Sequence, residues 1–474
     1  RVPYRCPARP RPAVLYPGKS GKLAVKAVQS PVFGTGKNKL MKGLARSEVM
    51  ALGFMTFALF LGAGNIIFPA AAGLLSGQHL WWAAVGFLLT GVGLPLLTVV
   101  ALARVGGGLQ TLTRPLGRTP GTLLAIAVYL AIGPLFATPR TAVVSYEMAV
   151  GPFLEDSWWV LLLYTSGYFA VVLYLALTPG KVLERIGQLI TPVLLLSLVL
   201  LGMAAVFKPA GVPGAGVPPY SDEPLLRGFL DGYLTMDALG ALVFGVVIAA
   251  AIRTRGVTDL SKITRHSIQA GVIAAIGLSL VYISLFYLGA TSHGIAAGAE
   301  NGGQVLAIYV KFAFGVPGTL LLAVVITLAC LTTATGLLMA CGEYFEQLWQ
   351  IRYRRTVVFF VLFSWAVSNQ GLTQLIKVSV PVLVGLYPLA IVLVMLSLAK
   401  NAWRNPQPVI RASMMVTLLF GAMDALVASG LDPDWFGPLQ RLPLAGQQMG
   451  WLVPVLLVLL VMTVLDRRQP RTQG

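Results

Sequence analysis

Few residues of this chain could do chemistry in an apolar setting, and they gather in a handful of places. Asp237 and Arg140 are charges inside long apolar runs. Burying a charge in hydrocarbon costs at least about 2.5–3.5 kcal/mol, so each needs a partner, a watery cavity or a route to the interface. Asp237, in Gly232-Tyr-Leu-Thr-Met-Asp237, could hold an ammonium group or take part in cation coupling. The competing account is a structural hydrogen bond near the outer end of its segment. Arg140, in Gly133-Pro-Leu-Phe-Ala-Thr-Pro-Arg140, could gate by pairing with an acid. Its position toward a segment end favours snorkelling to the interface.

A second group carries backbone chemistry. Phe60-Leu-Gly62-Ala63-Gly64-Asn65-Ile-Ile-Phe68-Pro69 interrupts an apolar run with two glycines. Each lowers helix stability by about 1 kcal/mol relative to alanine. Asn65 can bond the backbone groups that a break sets free. A half-helix beginning there would aim amide N–H groups and a positive dipole end at an anion such as an amino acid's carboxylate. Close helix packing is the competing account. The stretch from Gly232 to Gly245 repeats the theme, with Thr235, Asp237 and Gly240 as its candidate contacts. Tyr129 could wall the same pocket or simply pack.

The third group is oxygen-rich. Ala329-Cys-Leu-Thr332-Thr333-Ala-Thr-Gly places adjacent hydroxyls in an apolar segment. Na⁺ is a hard cation that takes oxygen ligands. The Thr332 and Thr333 hydroxyls with the Ala329 carbonyl offer three, and the carbonyls of Ala58 and Leu61 could complete a cage. The competing account is that each hydroxyl bonds a carbonyl one turn back. The cysteines and histidines show no paired spacing for a disulfide framework or a zinc site.

These groups need a lipid-embedded frame. The chain is 57% hydrophobic and 11% charged with a mean hydropathy of +0.79, too little charge to cover a water-facing surface. Apolar blocks such as 158–177, 190–206, 378–398 and 451–465 approach the roughly 20 residues that a crossing helix needs. They do not alternate with period two, which disfavours a barrel. We expect an all-α membrane protein of about twelve spans, at 48–74, 80–104, 120–147, 157–178, 187–207, 228–252, 264–289, 314–342, 354–369, 373–399, 409–430 and 447–465. The longest loop, 208–227, is rich in proline and glycine and should lie on the surface.

The net charge of +18 follows loop alternation. With the N-terminus inside, the cytoplasmic loops receive Arg104, Arg114, Arg118, Lys181, Arg185, Arg253, Arg255, Lys262, Arg265, Arg352, Arg354, Arg355, Lys400, Arg404 and Arg411, while Glu147, Glu155, Asp156, Asp222, Glu223, Asp432 and Asp434 fall on the other side with few basic residues, chiefly Lys208, Arg227, Lys311 and Arg441. That is an orientation signal with both termini cytoplasmic, and it argues against a nucleic-acid partner. Residues 1–40 read as a disordered basic tail. Met41 is a reasonable natural start, which would put that tail outside the native protein; N-terminal sequencing of the native protein checks this. Residues 41–466 form the transmembrane domain and 467–474 a cytoplasmic tail. Gly53-Phe-Met-Thr56 resembles Gly232-Tyr-Leu-Thr235 at corresponding places in opposite orientation, the mark of an inverted repeat. The repeats would span about 48–207 and 228–399, with extra helices over 409–465.

The stretch Ala51-Leu-Gly-Phe-Met-Thr-Phe-Ala-Leu-Phe-Leu-Gly-Ala-Gly-Asn-Ile-Ile-Phe-Pro69 resembles the opening of the bacterial branched-chain amino acid carrier family. So do Gly93-Leu-Pro-Leu-Leu-Thr-Val-Val-Ala-Leu-Ala103, Gly133-Pro-Leu-Phe-Ala-Thr-Pro-Arg-Thr141 and Gly232-Tyr-Leu-Thr-Met-Asp237. The likeness covers residues 41–466. It implies a leucine-transporter-like fold with two inverted five-helix repeats and two added C-terminal helices. It also implies import of leucine, isoleucine and valine by symport with Na⁺ or H⁺ across the bacterial inner membrane, with no cofactor beyond the coupling ion. In that broader fold one Na⁺ site uses carbonyls ahead of a Gly-x-Gly-Asn break and an Ala-x-x-Thr-Ser/Thr motif. The matching positions here are Ala58, Leu61, Ala329, Thr332 and Thr333. A carrier of another amino acid is the nearest rival. An intramembrane enzyme lacks support, since neither H-E-x-x-H nor G-x-S-x-G occurs.

Overall fold

The computed structural model describes residues 43–154, 157–178 and 181–468. The expected tail at 1–40, most of the 467–474 tail, and Glu155 and Asp156 lie outside the described residues. Residues from Gly43 onward form one unit. Among the described residues every regular element is helical.

In chain order the helices are α1 (Arg46–Phe60), α2 (Gly64–Ser76), α3 (Leu80–Leu88), α4 (Leu94–Val105), α5 (Leu109–Thr113) and α6 (Arg118–Leu130). There follow α7 (Ala137–Ala149), α8 (Trp158–Leu177), α9 (Lys181–Phe207), α10 (Pro224–Asp231), α11 (Asp237–Thr254) and α12 (Leu260–Thr291). The last are α13 (His293–Ala296), α14 (Gly302–Trp349), α15 (Tyr353–Ser368), α16 (Leu372–Leu398), α17 (Pro406–Ala428) and α18 (Leu452–Arg468). Among the described residues eight stretches are long and apolar enough to cross a membrane. The four other expected spans fall on α1, α9, α15 and α18. Large apolar side chains such as Leu163, Leu280, Met415 and Leu460 stay exposed. A multi-pass membrane protein presents such a surface to acyl chains, where helices satisfy their own backbone groups.

The helices are interrupted where the sequence is least helical. Widened π turns at Leu89–Gly93 and Ala131–Leu135 join α3 to α4 and α6 to α7. Gly133 there leaves helical geometry, and Pro134 follows it. Two expectations need correction. The eighth span was placed at 314–342, but α14 begins at Gly302, and Gly315, at φ 65°, breaks it into two segments. An Asn301 cap explains the earlier start: its Oδ1 accepts from the amides of Gly303 and Gln304. The loop 208–227 was read as continuous to residue 227, but its end is helical because Pro224 opens α10.

The packing of α2 matters most for the site. Gly73 and Gly289 let α2 and α12 touch backbone to backbone: a Cβ at either would meet the Phe286 or Ala70 carbonyl oxygen at 2.2 or 2.1 Å. Gly302 does the same for α14 against the Ile67 carbonyl, at 1.7 Å. The loop after α9 is stitched to the end of α2. There Gln78 N–H donates to Gly214 O and Val217 N–H to Leu75 O, each at 2.9 Å.

Candidate functional site

The first helix break falls where Gly62 and Gly64 predict it. α1 ends at Phe60, Leu61 turns out of helical geometry (ψ 86°), and α2 starts at Gly64. Asn65 closes the gap: its Oδ1 accepts from Gly62 N–H at 3.2 Å. Among the described residues the amides of Ala63 and Gly64 donate to no group of the chain, and the carbonyls of Ala58 and Leu61 accept from none. These are the groups that an interrupted helix leaves free.

The second break falls in the first part of the Gly232–Gly245 stretch, ahead of Gly240 and Gly245. After α10 the chain makes a single tight turn over Gly232–Thr235, and Met236 adopts a left-handed conformation at φ 63°. Asp237 is therefore the first residue of α11 rather than a mid-helix charge. An acid in a first turn faces the positive dipole end. Gly240 is ordinary helix, with nothing nearer to a would-be Cβ than Phe244 at 3.8 Å.

The two breaks meet. Asp237 Oδ2 accepts from Asn65 Nδ2 at 2.5 Å and from the Tyr282 hydroxyl at 2.7 Å. Asn65 Nδ2 also donates to that hydroxyl at 2.5 Å. With Oδ1 committed to Gly62, the orientation of the Asn65 amide is fixed by its partners. All three side chains are buried. Their triangle ties α2, α11 and α12 together. Asp237 Oδ1 takes none of these bonds. Tyr282 went unrecognised in the sequence, because nothing local separates it from other tyrosines in apolar runs.

A cavity opens beside the triangle. Its polar lining includes Gly62, Ala63, Gly64, Asn65, Thr235 and Asp237, with Arg140, Thr141, Gly240 and Thr333. Ile132, Phe244, Leu337, Leu59 and Phe60 supply an apolar wall. Tyr129 is a correction: it lies away from the cavity, its ring stacked on Tyr344 at 3.9 Å. It sits just before the π turn, so the change of helical phase that brings Ile132 to the cavity leaves Tyr129 on the face toward α14.

Arg140 is a second correction. It does not snorkel, being 2% exposed. Nor does an acid among the described residues pair with it. Nη1 donates to the Leu234 carbonyl at 2.6 Å and Nη2 to Ser379 Oγ at 3.3 Å. The Phe68 ring covers the guanidinium face at 4.8 Å.

The oxygen-rich group lies on α14 opposite the first break, with Thr333 Cγ2 3.7 Å from a would-be Cβ on Gly62. Both Thr332 and Thr333 hydroxyls donate to the Ala329 carbonyl, at 2.8 and 3.0 Å. That use of the carbonyl is the one-turn-back bonding expected of such residues. The hydroxyl oxygens keep their lone pairs.

Two interrupted helices around a cavity define a leucine-transporter-like membrane carrier fold. Solved structures share it: MhsT in complex with L-phenylalanine at TM-score 0.55 and 13% identity, covering 90% of this chain and 99% of that one; and Mhp1, a nucleobase-cation-symport-1 family transporter, at TM-score 0.55 and 14% identity, covering 90% and 94%. The chain belongs to the branched-chain amino acid transport protein family, whose model matches residues 45–469. It is 62% identical over 430 residues to the branched-chain amino acid transport system 2 carrier protein of Pseudomonas aeruginosa, covering 90% of this chain and 98% of that one. It is 48% identical over 431 residues to the branched-chain amino acid permease BrnQ of Escherichia coli K12, with the same coverage. The family is one of transporters, not enzymes.

Proposed function

We infer that the chain imports leucine, isoleucine and valine by cation symport through alternating access in a bacterial inner membrane, with both termini cytoplasmic. The observation that carries this is the meeting of the two helix breaks at one cavity lined by Asp237 and the Ala63–Gly64 amides. The amides suit a carboxylate. Asp237 Oδ1 suits an ammonium, and the wall of Ile132, Phe244 and Leu337 suits a branched aliphatic side chain. The named relatives support the substrate class.

The coupling ion is Na⁺ in this reading. The carbonyls of Ala58 and Leu61 and the hydroxyls of Thr332 and Thr333 offer hard oxygen ligands beside the first break. For the Ala329 carbonyl to join them, the two hydroxyls must turn away from it. Coupling requires only that the ion binds the outward and inward states with different free energy.

The test is uptake of labelled leucine into proteoliposomes, with Na⁺ and H⁺ gradients imposed separately. Concentrative uptake driven by Na⁺ and lost in Thr332→Ala supports the reading. Uptake driven by H⁺ alone rejects the Na⁺ site and makes Asp237 the proton carrier. No leucine uptake under either gradient rejects the substrate class.

A further inference from the structure

Arg140 is a buried cation that no acid among the described residues neutralises. No described carboxylate pairs with it, and its Nε is buried without a hydrogen-bond partner. A guanidinium carries five N–H donors, and two of them are used here, on the Leu234 carbonyl and on Ser379. Phe68 covers a face of the group, which leaves its edges for further partners. A charge held this way is costly unless something of opposite sign completes it.

The acid nearest in role is Asp237, which lines the same cavity. It does not serve, because Asn65 and Tyr282 hold it. The cavity thus keeps one cation and one anion apart, each with neutral partners. The head of an α-amino acid is the reverse of that pair: a carboxylate and an ammonium on one carbon.

We propose that Arg140 is the carboxylate-recognising residue of the site, completing with the Ala63 and Gly64 amides a clamp for the α-carboxylate while Asp237 meets the ammonium. This rests on the amino acid reading above and deepens it. The consequence is a specificity rule. A ligand that keeps the side chain and ammonium but lacks the carboxylate charge is rejected, and Arg140 sets how strongly. Arg140 also supports the unwound segment through Leu234, and that supporting role alone would weaken every ligand alike.

Equilibrium binding of leucine and of leucinamide to the purified full chain in lipid nanodiscs separates the two roles. In the wild type leucine should bind more tightly by a factor on the order of 10–100, as for a charge-assisted contact. In Arg140→Gln that ratio should fall to within about threefold of one. In Asp237→Asn both ligands should weaken together and the ratio should persist. Arg140→Lys keeps the charge without the fork and should lie between; it serves in place of Arg140→Gln if thermal unfolding shows the latter misfolded. A wild type that binds leucinamide as tightly as leucine overturns the proposal without any variant. So does a folded Arg140 variant that keeps the wild-type ratio. A wild type that binds neither ligand, nor isoleucine or valine, instead rejects the amino acid reading, and the proposal falls with it.

Discussion

The two helix breaks solve one problem in different ways. At the first, Leu61 turns out of helical geometry between α1 and α2, and a side chain, Asn65, caps one freed amide while two amides and two carbonyls stay open. At the second, a tight turn and one left-handed residue, Met236, do the work, and charges flank it: Arg140 on the Leu234 carbonyl and Asp237 at the head of α11. The first break is neutral and offers backbone; the second is bracketed by ions. A zwitterion with an apolar tail needs both kinds of surface, and Asn65, Asp237 and Tyr282 join them by hydrogen bonds.

That joint should give the largest effect when broken. Asn65→Ala removes the cap on Gly62 and both donors to its neighbours. We expect leucine uptake to fall by about 100-fold or more, in line with leaving a buried carboxylate short of a donor. Tyr282→Phe removes one donor and keeps the ring. Uptake should fall about tenfold, corresponding to one buried hydrogen bond to a charged group; an unchanged rate would mean that Asn65 alone holds Asp237.

The glycines sharpen the contrast between the breaks. A Cβ on Gly64 would sit 3.3 Å from Phe68 and 3.4 Å from the Leu234 and Thr235 carbonyls. Gly64→Ala should therefore cut uptake several-fold, roughly one kcal/mol of overpacking, while Gly240→Ala should leave it near wild type. Equal loss in both would show that the second break extends into α11. The smallest effect is reserved for Met236→Gly. Relief of a left-handed residue, worth about 1–2 kcal/mol, is largely offset by the flexibility of glycine in the unfolded chain. The melting temperature should move little and uptake should persist.

Much of this frame was legible in the chain. Long apolar blocks give helices, and Gly62, Gly64 and Asn65 mark the first break because two weak helix formers and a capping side chain coincide. The second break falls inside the expected Gly232–Gly245 stretch, but its exact place at Met236 was not legible, because a left-handed methionine has no sequence signature; the residue able to adopt φ 63° at least cost would be glycine. Arg140 was misread for a related reason. Distance from a span end suggests snorkelling, but its partner is a carbonyl freed by a break 94 residues away. Tyr282 could not be singled out, since its meaning depends on α12 crossing α2 at Gly73 and Gly289.

That crossing has a mechanical consequence. Backbone laid on backbone, with no side chain between, leaves no rotamers to absorb sliding, so α2 cannot shift against α12 or the start of α14 without separating them. The stitches from Gly214 and Val217 add the loop after α9 to the same body. Any swing of α2 is then the swing of a four-part lever, and the short arm of that lever ends at Gly62 and Ala63. Small rotations at those two residues would be multiplied along α2 and the elements packed on it, and the carboxylate site proposed at the Ala63 and Gly64 amides would sit on the pivot itself.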